Sequence, residues 1–104
     1  MKKNNGFLKD KNFFVSVKFS HDKEIQKLNK EYLDRDYPTD VLSFNMDQER
    51  DDGSYYLGDI VVNIDQAERQ VVEYGNSLEE ELADLVEHGV LHLLGVHHEE
   101  DENL

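Results

Sequence analysis

Cysteine and tryptophan are absent from these 104 residues, proline occurs once, at Pro38, and after residue 50 the sequence holds a single basic residue, Arg69. Without cysteine there is no disulfide framework and no thiolate site, so the cytoplasm is the expected compartment and any metal must be held by His, Asp or Glu. No apolar run approaches the roughly 20 residues of a membrane span. The basic start Met1-Lys2-Lys3 meets Asp10 and Lys11 before any apolar stretch that could serve a signal peptide. Repeats and Pro/Gly-rich linkers are also missing, so residues 1–104 read as one domain, of the size at which single domains begin.

What the chain has in excess is negative charge, −13 in total. Residues 1–50 hold ten Lys/Arg against nine Asp/Glu, and residues 51–104 hold one against fifteen, so the halves carry +1 and −14. Bulk electrostatics oppose nucleic-acid binding, and a polyanionic substrate has to be met by the N-terminal half or by a metal ion. Most of the acidic half, with the run Glu99-Glu100-Asp101-Glu102, reads as solvated surface.

The alternation Phe13-Phe14-Val15-Ser16-Val17-Lys18-Phe19 predicts a strand with one buried face. Ile25, Leu28, Tyr32 and Leu33 recur at helical spacing, predicting a helix over 21–33 with Lys23, Lys27 and Lys30 on its basic face. Val41-Leu42-Ser43-Phe44 is a short second strand, Asp51-Asp52-Gly53 a turn, and 55–64 a third strand in which Gly58 suggests a bulge or a close backbone approach. Asp65 is the expected cap of a helix ending at Gly75. Ser77 and Glu80 form a capping box for a last helix, whose apolar stripe from Leu78 to Leu94 runs through to Gly95.

Four of the five histidines, His88, His92, His97 and His98, fall near the end of that helix. His88 and His92 are separated by about 40° around the axis and about 6 Å along it, so both imidazoles can reach one ion. Gly95 stands where a left-handed residue turns the chain back, which would bring His98 to the same ion and leave one coordination position for water. The run matches the zincin pattern H-E-x-x-H-x-x-G-x-x-H except that Gly89 replaces the glutamate. Because that glutamate is the general base of peptide hydrolysis, proteolysis is disfavoured while the metal cage is kept. Asp59, Asp40 and His97 are the alternative bases, unranked by sequence. His21 reads as an ordinary surface histidine.

His88-Gly89-x-Leu91-His92-Leu93-x-Gly95-x-x-His98, with Pro38-Thr39-Asp40-Val41-Leu42-Ser43-Phe44 and Gly58-Asp59-Ile60, closely resembles the YbeY family of bacterial metallo-endoribonucleases, in order and in spacing. The resemblance implies an α+β fold, a small mixed β-sheet with packed helices and a zincin-like metal helix. It also implies one zinc or similar divalent transition metal ion on His88, His92 and His98. Further implied are single-strand-specific RNA cleavage in 16S rRNA 3′ end maturation and ribosome quality control, with RNA and the small ribosomal subunit as partners, and neither DNA nor membrane. The sequence departs from the family where Leu33 stands in place of an arginine thought to handle phosphate; the nearest guanidinium is Arg35. Val96-His97 replaces the usual Tyr-Asp, and relatives extend further at both ends, so a shortened member is expected. Arg35, Lys27 and Lys30 are the expected substrate-binding residues. The rival expectation is a non-catalytic zinc-binding domain whose metal is structural and whose acidic surface binds a partner.

Overall fold

The computed structural model describes residues 12–95. In chain order the elements are β1 (Asn12–Ser20), α1 (Asp22–Leu33), β2 (Val41–Glu49), β3 (Ser54–Asn63), α2 (Ile64–Tyr74) and α3 (Leu78–Leu93). β3 is central, parallel to β1 and antiparallel to β2. This is the small mixed sheet with packed helices, an α+β fold, that the resemblance implies. No helix among the described residues is long and apolar enough to cross a membrane.

Strand periodicity sorts the core onto two faces. Val61 and Leu42 meet Ile25 of α1 on one face, whereas Ile60 and Val62 meet Ala67 of α2 and Leu85 and Leu93 of α3 on the other. Ile25, Ile60 and Val62 are wholly buried, each side chain contributing about 1.5–3 kcal/mol.

Local signals account for most boundaries. Gly53 is left-handed at φ 90° in the turn between β2 and β3, and Gly75, at φ 74°, closes α2. Ser77 Oγ accepts from the Glu80 N–H (3.1 Å) while the Ser77 N–H donates to Glu80 Oε1 (2.9 Å), completing the expected capping box. Two readings are corrected. β2 runs on to Glu49 rather than stopping at Phe44, because its polar second half pairs with β3 as far as Tyr55. The cap of α2 is Asn63, whose side chain accepts from the Gln66 N–H; Asp65 lies within the first turn.

Gly58 does both things its place in a strand suggested. Val15 pairs with Gly58 while Phe14 pairs with Tyr56, leaving Leu57 as an extra residue in β3. On the other side Asn45 pairs with Gly58 and Gln48 with Tyr56. A Cβ at Gly58 would collide with the Phe44 carbonyl oxygen and stand 3.0 Å from Leu93 Cδ2.

The end of β3 ties the molecule together through Asn63, which is fully buried. Its amide donates to Asp22 Oδ1 (2.6 Å) and to the Thr39 carbonyl (3.0 Å), and its backbone N–H donates to the Asp40 carbonyl (2.8 Å). Arg69 grips the same Asp22 carboxylate with two N–H groups at 2.9 and 3.1 Å, which holds the pKa of that carboxyl below its usual 3.8. Asp65 accepts from the Asp22 N–H and from His21 Nδ1, both at 3.0 Å. The first contact, then the second, holds its carboxyl low, and the pairing raises His21 above 6.5.

Depressed carboxylates stabilise the fold above pH about 4 and lose that contribution as pH falls through their folded values. The raised His21 stabilises below pH about 6.5 and loses its contribution as pH rises through its folded value. The urea midpoint is therefore expected to be highest between these limits. Set against wild type, His21→Gln should flatten the decline above pH 6.5 and leave the acid limb in place; an unchanged alkaline limb would refute the assignment.

Candidate functional site

Among the described residues β2 is an edge strand, with α1 on one face of the sheet and α3 on the other. Along that edge the end of α1, the loop of residues 34–40 and α3 enclose a cleft of about 410 Å³. α3 brings His88, Gly89 and His92 to it, the loop brings Arg35, Thr39 and Asp40, and β2 brings Ser43. His88 is exposed and His92 half-buried. They stand one helical turn apart on a continuous α-helix, as their spacing predicts.

Two bonds from β2 hold this part of α3. Ser43 Oγ donates to the Gly89 carbonyl (3.3 Å), and Asn45 Nδ2 donates to the Leu93 carbonyl (3.1 Å), one of the last-turn acceptors a helix leaves unsatisfied. Gly89, read from sequence as a missing base, also has a packing role. A Cβ there would lie 2.8 Å from Ile60 Cγ2, against a wholly buried side chain. Gly89→Ala sets overpacking of about 1–3 kcal/mol against about 1 kcal/mol of helix propensity. A net loss of about 1 kcal/mol in chemical unfolding is expected, and a stabilised variant would show that α3 is free to move off β3.

The structure separates the other expected site residues. Arg35 shares the cleft with His88 and His92, and it is the only Lys or Arg among the described residues lining it. Lys27 instead lines a shallow depression with Lys23, His21, Glu24 and Glu31, outside the cleft. Lys30 is also absent from the cleft lining and faces Asp36 at 3.8 Å, an exposed pair worth little. Lys18 is paired with Glu24 at 2.9 Å.

Of the expected bases, Asp40 lines the cleft, with Thr39 Oγ1 donating to its Oδ1 at 3.4 Å. Asp59 accepts from the Tyr56 hydroxyl and lines a different depression with Leu28, Tyr32, Phe44 and Val61, on the α1 side of the sheet. Gly95 is left-handed at φ 84°, as its position at the helix end predicts. His97 and His98 lie outside the described residues. Among the described residues no group of three or more His, Asp or Glu gathers as a metal site.

One cleft residue escaped the sequence reading. Asn29 is 1% exposed, and its Nδ2 donates to the Tyr37 carbonyl at 2.9 Å. Its signal was a polar residue four positions after Ile25, on the buried stripe of an amphipathic helix.

The structure is a small α+β fold in which two helix-borne imidazoles share one cleft with a loop arginine and a carboxylate. The family model described as Endoribonuclease YbeY matches residues 2–104, and the chain belongs to that family. It is 49% identical over 98 residues to an Endoribonuclease YbeY of Oceanobacillus iheyensis, the match covering 85% of this chain and 64% of the relative. With that of Aquifex aeolicus it shares 53% over 89 residues, covering 85% and 58%. With that of Bacillus licheniformis it shares 46% over 96 residues, covering 85% and 61%. The chain thus spans about three fifths of the length of these curated relatives.

Proposed function

We propose that this chain is a metal-dependent endoribonuclease that cuts single-stranded RNA, acting in the cytoplasm on the 3′ end of 16S rRNA and in quality control of the small ribosomal subunit. The observation that carries the reading is the meeting of His88, His92 and Arg35 on one cleft in a chain of this family. Two imidazoles four residues apart on a helix fit zinc as part of a ligand set, and His98 is the residue proposed to complete it. Zinc held there would supply Lewis acidity and a water of lowered pKa.

The chain's own residues do the rest. Arg35 offers a planar fork of N–H donors that matches a phosphate bidentately, fixing the phosphodiester beside the imidazoles and offsetting charge that develops on it. Asp40, on the same loop, is the carboxylate placed to take a proton from the attacking water. A cleft of about 410 Å³ is in the range of single-ligand sites, which suits an unpaired nucleotide. One guanidinium beside a −14 half gives modest, salt-sensitive affinity, so selection among RNAs falls largely to the ribosome.

The test is cleavage of an end-labelled single-stranded RNA by the zinc-loaded 104-residue chain, beside a chelated sample and a duplex of the same sequence. Discrete cuts in the single strand that disappear with chelator are expected. A folded, zinc-loaded protein that leaves the RNA intact would overturn the reading.

A further inference from the structure

We propose that Asn29 is the positioning residue that aims Arg35 into the cleft, and that residues of α1 clamp the loop of residues 34–37 as a rigid phosphate-binding platform. The inference rests on the role of Arg35 proposed above and assigns it a mechanical support. α1 ends in a left-handed residue, Asp34, at φ 59° and ψ 37°, a conformation that side chains other than glycine seldom take. The loop beyond it is then tied to α1 at consecutive residues. The Arg35 N–H donates to the Asn29 carbonyl (3.2 Å), Gln26 Nε2 donates to Asp36 Oδ1 (3.0 Å), and Asn29 Nδ2 donates to the Tyr37 carbonyl (2.9 Å). Asn29 therefore holds the chain on both sides of Arg35, once through its backbone and once through its side chain.

Burial adds a second reason to assign Asn29 a role. It is 1% exposed, it lines the cleft, and its Oδ1 has no hydrogen-bond partner among the described residues. An unsatisfied buried acceptor carries a desolvation cost that an apolar residue on this stripe would avoid. The amide N–H is what leucine or alanine could not supply, because the Tyr37 carbonyl needs a donor. A long, flexible arginine on a loose loop would give up conformational entropy on meeting phosphate; on a clamped loop the backbone part of that loss is already met in folding.

The experiment measures binding of a single-stranded oligoribonucleotide by the full zinc-loaded chain across a salt series. The variants are Asn29→Leu, which is neutral and of similar size but lacks the donor, Gln26→Ala, Arg35→Ala and the double Asn29→Leu/Arg35→Ala, with folding followed by circular dichroism. Arg35→Ala is expected to flatten the salt slope by about 0.7, the value for one phosphate contact on a single strand, and to weaken binding about tenfold. Asn29→Leu should reproduce most of both effects with zinc affinity unchanged, and the double variant should be no worse than Arg35→Ala. Gln26 is only half-buried; its variant should show a smaller loss in the same direction, and it carries the test should Asn29→Leu not fold. An unchanged salt slope in folded Asn29→Leu and Gln26→Ala, or effects of Asn29 and Arg35 that simply add, would overturn the clamp while leaving the RNA site intact. Wild-type protein that neither binds nor cuts RNA would overturn both.

Discussion

His92→Ala is expected to abolish zinc-dependent RNA cleavage and to remove the stabilisation that zinc confers. Groups outside the ligand set of a metal typically account for 10–100-fold in activity, so loss of a ligand should exceed about 100-fold. A ligand that binds only the folded state at 100 times its Kd adds about 2.7 kcal/mol. The wild-type melting temperature should therefore climb with added zinc, and that of His92→Ala should not. His88→Ala is expected to act in the same direction, since both imidazoles reach the cleft from consecutive turns of α3. The half-buried His92 gives the stronger effect, because its imidazole is less free to be replaced by water. A variant that still cuts RNA at the wild-type rate, or that still melts higher with zinc, would remove these residues from the metal site.

Gly58→Ala should cost more stability than a methyl group added at any other described glycine, about 3 kcal/mol. That is a large share of the 5–15 kcal/mol typical of a domain, and it lowers the melting temperature by about 15 °C at this chain length. The added Cβ meets the Phe44 carbonyl, which is backbone and cannot rotate away, and the Leu93 side chain, which is 4% exposed. At Gly89 the obstacle is a side chain and helix propensity offsets part of the cost, so the expected loss is smaller. Gly58 also sits where β2, β3 and α3 converge, so strain there separates Ser43 and Asn45 from the α3 carbonyls they hold. Zinc affinity should fall with stability although no ligand is touched. A shift of under 2 °C in a thermal melt would mean that the β2–β3 bulge yields freely.

Much of the architecture was legible because its causes are local. Ser77 with Glu80, Gly75 and Gly53 each act over a few residues, and each appears in the fold as the sequence implied. The misreadings have a common cause. Asn45 to Glu49 is too polar to read as a strand, and it is one because β3 presents an unpaired ladder beside it. Asp65 has the chemistry of a cap, but its carboxylate is engaged by His21 and the Asp22 N–H from more than 40 residues away, and Asn63 caps instead. Asn29 was passed over because helical periodicity marks a buried position without revealing which carbonyl awaits it there.

The candidate site divides the same way. The sequence by itself determined that His88 and His92 share one side of a helix and that Gly95 ends it left-handed, since helical geometry relates residues four apart whatever surrounds them. Only the tertiary structure decided that Arg35 joins those histidines while Lys27 and Lys30 do not, and that Asp40 lines the cleft while Asp59 belongs to the opposite side of the sheet. The strand order leaves β2 as an edge, and the clamp on residues 34–37 folds the loop against that edge. The edge comes from strand pairing between residues far apart in the chain, and the short-range bonds of the loop act at the cleft only because α1 packs on the sheet through Ile25, Leu42 and Val61.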